Sequence, residues 1–78
     1  MLNLKKYLQA RIKFVKSDID YTNKENVIRN MYACYELADV AYVAGLAGLY
    51  DEFLELYYRL YFKAADMNLK GEWWRCQP

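Results

Sequence analysis

A chain of 78 residues with 11 Lys and Arg against 10 Asp and Glu has a formal net charge of +1, which suits one small domain and argues against a dedicated nucleic-acid binder. With no histidine, one serine, one threonine and two cysteines, it lacks the usual general base and most enzyme nucleophiles, as well as the cysteines for a dense disulfide framework. The surplus is nine tyrosines, each a large ring with a polar tip suited to the rim of a core or to a contact surface.

Leu4, Leu8, Ile12, Val15 and Ile19 recur at helical spacing and predict a first helix over residues 2–19. Lys5, Lys6, Arg11, Lys13 and Lys16 precede the first acid, Asp18, so this helix is amphipathic and basic. The same cations interrupt every apolar run, so no signal peptide is expected, and a cytoplasmic location with reduced thiols is. A polar stretch from Ser17 to Asn23 follows. Thr22-Asn23-Lys24-Glu25 has the capping-box pattern, which predicts Thr22 as the cap of a second helix.

That second helix carries two apolar stripes. One runs through Val27, Met31, Cys34, Ala38, Ala41 and Gly45, the other through Ala33, Leu37, Val40 and Ala44. Two stripes imply burial on two sides, as in the centre of a bundle or between two copies of the chain. The uncharged run from Val40 to Tyr50 is too short for a membrane span, which needs roughly 17 to 25 residues. Gly45 and Gly48 within it supply a helix end and a tight turn, giving an antiparallel hairpin; the alternative is one continuous helix over 23–67.

The third helix is predicted over 50–68, opening with Asp51 and Glu52 at the positive end of its dipole. Tyr50, Phe53, Leu54, Tyr57, Leu60, Tyr61 and Ala64 form its expected inner face, and Glu55 and Arg59 stand at the favourable i,i+4 spacing. A turn is expected at Gly71, followed by a tail. The chain is thus read as an all-α three-helix bundle, helices two and three forming the hairpin and helix one lying across it. Residues 1–70 form the domain and 71–78 the tail, and a homodimer is expected because so small a core gains from a partner.

No catalytic, cofactor-binding or metal-ligating set emerges. Ser17 and Thr22 sit where hydroxyls cap or turn the backbone, and Cys34 lies on an apolar stripe. Cys76 has no Cys-x-x-Cys partner, and Asp51, Glu52 and Glu55 lack the histidine or glycine-punctuated loop that would support a metal. The expected function is therefore a non-enzymatic module that docks on a larger protein through Tyr58, Phe62, Trp73, Trp74 and Arg75, residue types that anchor interfaces. The alternative is a nucleic-acid accessory protein that meets phosphate through Lys5, Lys6, Arg11, Lys13 and Lys16. Against a helix-turn-helix, the third helix would set Asp51, Glu52 and Glu55 against DNA.

Overall fold

The structure, a computed structural model, describes residues 3–71, with side chains as far as Met67. It consists of α1 (Leu4–Asp18), α2 (Lys24–Val43) and α3 (Ala47–Gly71), with no strand among the described residues. Helices α2 and α3 form an antiparallel hairpin packed along most of its length, and α1 lies against one side of it. No described helix is long and apolar enough to cross a membrane.

Side chains close the first two helices. The Asn3 side-chain oxygen accepts the Lys6 N–H at 3.1 Å and caps α1. Asn23, rather than Thr22, caps α2 by accepting the Asn26 N–H at 3.0 Å. The expected capping hydroxyl is engaged upstream. Thr22 donates its Oγ to Asp20 Oδ1 at 2.6 Å and its backbone N–H to the same oxygen at 3.0 Å, a local turn that leaves the next residue to cap. These two bonds also hold the Asp20 carboxyl below the usual range.

Helix α2 ends in a paired closure at Gly45, whose φ of +75° lies in the left-handed region. The Gly45 N–H reaches Tyr42 O at 3.1 Å, and the Leu46 N–H reaches Ala41 O at 2.9 Å. Leu46 then accepts the Tyr50 N–H at 2.9 Å, so one residue both closes α2 and opens α3. The continuous-helix alternative is thereby excluded. Because the reversal is complete at Gly45, Gly48 is not part of a second turn; it sits inside α3, which starts three residues earlier than expected. Asp51 and Glu52 consequently lie beyond the first turn, and the dipole role assigned to them does not hold. At its other end α3 runs through Gly71, where a turn was expected.

The two glycines make opposite predictions. Gly45→Ala forces a Cβ into a left-handed conformation and is expected to cost about 1 kcal/mol. Gly48→Ala meets nothing within 4 Å and is expected to stabilise by about 0.5 kcal/mol, because alanine loses less chain entropy in a helix. Urea denaturation of the two variants checks both signs.

The core is one layer in a body of 44 × 25 × 18 Å. Leu8, Ile12 and Val15 of α1 meet Val27, Met31, Cys34, Ala38 and Ala41 of α2 and Leu49, Phe53, Leu56, Leu60 and Ala64 of α3. The buried face of α3 is turned relative to the expected one. Leu49 and Leu56 are buried, whereas Tyr61 is 48% exposed and Tyr50 and Tyr57 are half-buried. Leucine takes the centre because it has no polar atom to satisfy, and the phenols move to the rim where their oxygens stay wet. The second stripe of α2 is only partly covered: Ala33 and Leu37 are half-buried, while Val40 and Ala44 are exposed.

A polar cluster ties α1 to α2. Asn30, only 4% exposed, donates Nδ2 to Asp18 Oδ2 at 3.0 Å and to Asn26 O and Oδ1 at 3.1 and 3.0 Å. Asn26 in turn donates to Asp18 O at 3.0 Å and accepts the Asp20 N–H at 2.8 Å. The turn between α1 and α2 is thus held by side chains standing in for backbone partners.

Candidate docking face

Tyrosines of α2 and α3 meet on the side of the hairpin that α1 leaves open. Lys16 of α1 pairs with Glu52 of α3 at 3.7 Å, and Asp18 contacts Asn30 and Arg29 of α2. Glu52 precedes Tyr57 by five residues, and Asn30 precedes Tyr35 by five, a rotation of about 140° around each helix. The α1 contacts and the tyrosines therefore lie on different sides of both helices.

Antiparallel pairing sets the rings against one another. Tyr35 meets Tyr57 with centroids 5.4 Å apart, and Tyr42 meets Tyr50 at 5.3 Å, both tilted. Tyr57 also touches Tyr58 at 5.2 Å and Tyr61 at 6.0 Å, and Tyr61 meets Phe62 edge-on at 5.7 Å. Such pairs are worth about 0.5 to 1.5 kcal/mol each beyond burial, enough to hold the cluster in one arrangement. The surface stays open nonetheless: Tyr32, Tyr35 and Tyr58 are about half exposed, Tyr42 67% and Phe62 68%. None of these phenol oxygens hydrogen-bonds within the described residues. Burial first, and then the neighbouring phenols of Tyr61, Tyr35, Tyr58 and Tyr32, push the Tyr57 hydroxyl above its ordinary range, so it remains a neutral donor.

Charge is arranged unevenly around this face. Glu52, Asp18 and Glu55 each have a cation, in Lys16, Arg29 and Arg59. Asp39, between Tyr35 and Tyr42, and Asp51, two turns before Tyr58, have none among the described residues, and neither has Glu36. Residues 30–58 contain no Lys or Arg.

Tyr58 and Phe62, expected to bind a partner, lie side by side with this cluster; Trp73, Trp74, Arg75 and Cys76 fall outside the described residues. What the spacing did not reveal is that α2 contributes Tyr35, in contact with Tyr57, and Tyr42, in contact with Tyr50, with Tyr32 exposed on the same helical face. The signal was present in their positions, three and seven residues apart along one helical face.

The cations of α1 divide. Lys5, Lys13 and Lys16 line a cleft of about 750 Å³ with Gln9, Leu46 and the first turn of α3. Lys6 and Arg11 are not among its lining residues, and the Arg11 guanidinium lies 5.5 Å from the centre of the Phe14 ring, with its Nε buried and unpartnered. Ser17 donates Oγ to Phe14 O at 2.8 Å, a local use of its hydroxyl like that of Thr22. Among the described residues, no cluster of three or more His, Cys, Asp or Glu could hold a metal.

Cys34 is fully buried, and burial pushes its thiol up to about 11. The folded chain keeps this proton where the unfolded chain has released it, so the contribution is present below about 9 and is lost as pH rises towards 11. Iodoacetamide at mildly alkaline pH is expected to label Cys34 only after denaturant is added, as read by peptide mass mapping. Labelling of the native chain at the unfolded rate would contradict the burial.

Comparison with known proteins finds no matching family model, no matching curated protein and no matching solved structure.

Proposed function

We propose that this chain is a small, non-enzymatic docking module that binds a larger protein through the aromatic face of α2 and α3. The observation that carries it is the cluster of tilted and edge-on rings on the side of the hairpin away from α1, exposed and with their hydroxyls unpaired among the described residues. Aromatic side chains with a wet tip give contact area at low entropic cost, which is why they are enriched at interfaces. Tyr58 and Phe62 are exposed anchors on the α3 side of the face. Trp73, Trp74 and Arg75 extend the anchor set in sequence.

The test is capture from a nuclease-treated lysate with wild-type chain and with Tyr58→Ser/Phe62→Ser. Both side chains are exposed, so the double variant is expected to unfold with a loss below about 1 kcal/mol. Its affinity for a salt-resistant partner should fall about thirtyfold or more, since even one anchor residue is worth about 2 kcal/mol or more. Equal capture by both chains would sink the reading.

The expected homodimer has its basis in the part of α2 that α1 does not cover, Val40, Val43 and Ala44. Sedimentation equilibrium over a concentration series checks it. Nucleic-acid binding is favoured by one observation, the convergence of Lys5, Lys13 and Lys16 on a single cleft. That reading requires binding to collapse as salt rises and to vanish in Lys5→Glu/Lys13→Glu.

A further inference from the structure

We propose that the aromatic face takes a cationic, arginine-bearing amphipathic segment of a partner protein, its guanidinium groups stacked on tyrosine rings and balanced by Asp39, Asp51 and Glu36. This rests on the reading of that face as a docking surface and adds the chemistry of its occupant.

The charge of residues 30–58 points to it. Three acids are paired within the chain, Asp18 with Arg29, Glu52 with Lys16 and Glu55 with Arg59. The acids beside the tyrosines are unmatched, and the stretch that carries them contains no cation from Asn30 to Tyr58. A partner that brings positive charge relieves this one-sided field, steers its own approach and finds partners for the carboxylates.

The rings accept the same chemistry. A guanidinium over a tyrosine ring is attracted by the negative face of the π-system and stacks its plane on the ring. The chain already makes one such contact, Arg11 over Phe14 at 5.5 Å on α1. The free phenol hydroxyls add donors and acceptors for the partner's polar groups. A partner helix laid along this surface would place its anchors at i, i+3, i+4 and i+7.

Other occupants meet opposition. Two copies of the face laid against each other would bring Glu36, Asp39 and Asp51 against their own equivalents, and phosphate would meet the same carboxylates. Like charges at an interface discriminate against both.

The experiment selects a display library of random helix-length peptides on the full chain and measures the winners by fluorescence anisotropy against wild type, Asp39→Lys/Asp51→Lys and Tyr58→Ser/Phe62→Ser. The expected result is enrichment of arginine with apolar residues at helical spacing. Binding of those peptides should fall about tenfold in the charge variant, which replaces two attractive charges by two repulsive ones, and should weaken with salt. Neutral or acidic winners that still require Tyr58 and Phe62 would overturn the cationic occupant and leave the docking face standing. Winners indifferent to both variants, or no enrichment over the aromatic variant, would overturn the two together. Self-association abolished by Tyr58→Ser/Phe62→Ser would make the occupant a second copy.

Discussion

Phe53→Ala is expected to unfold most of the population at room temperature in water. Phe53 is fully buried and is the largest of the side chains that are. It sits in the buried row of α3, with Leu49 and Leu56 on either side along the helix. Truncating a buried phenylalanine costs about 3 to 5 kcal/mol, the lost transfer energy plus the cavity left behind. A domain of this size has about 3 to 5 kcal/mol in total, so the substitution removes nearly all of it. Circular dichroism with urea titration reads the outcome. A cooperative transition weakened by less than about 1 kcal/mol would mean that the core does not converge on this ring.

Asn30→Asp is expected to cost about 3 kcal/mol at neutral pH, because it sets a buried carboxylate against the carboxylate of Asp18. The native amide donates to Asp18 Oδ2 at 3.0 Å, so the new group exchanges a donor for a like charge at hydrogen-bond distance. The sign of the pH dependence follows. Folding raises the pKa of the new group above its unfolded value, so the folded state holds its proton more tightly. The deficit is therefore largest above the carboxylate range and shrinks as pH falls through it. Urea midpoints at pH about 7 and about 4 measure the difference, with the variant approaching wild type at the lower value. A deficit that stays constant or grows on acidification would place the Asn30 amide somewhere other than beside Asp18.

Helical spacing was enough to find three helices and their order, because Leu8, Ile12 and Val15 or Phe53, Leu60 and Ala64 repeat at the helical period and remain buried. Gly45 was legible for the same kind of reason, since only a left-handed backbone closes α2 there. The capping residue was not. Thr22 and Asn23 both carry capping side chains, and the choice falls to Asp20, which engages Thr22 first. The start of α3 was hidden by Gly48, which has the same composition signal as Gly45 and a different conformation. The rotation of α3 escaped because periodicity does not distinguish tyrosine from leucine on a broad apolar arc, whereas the need to keep a phenol wet does.

The aromatic face was half visible. Tyr58 and Phe62 stood out on α3, but the joining of Tyr35 to Tyr57 and Tyr42 to Tyr50 is a product of the antiparallel register and belongs to no single helix. The basic set was visible as composition and divides in three dimensions, since Lys5, Lys13 and Lys16 share a cleft with α3 while Arg11 lies over Phe14.

Site-specific photocrosslinking in cells separates the aromatic face from the basic cleft most directly. A photoreactive benzoyl-phenylalanine is placed at Tyr58 in one chain and at Lys13 in another, and adducts are read by mass spectrometry. The aromatic face predicts a protein adduct from Tyr58 and none from Lys13. Adducts from Lys13 alone, or from neither position, would contradict it.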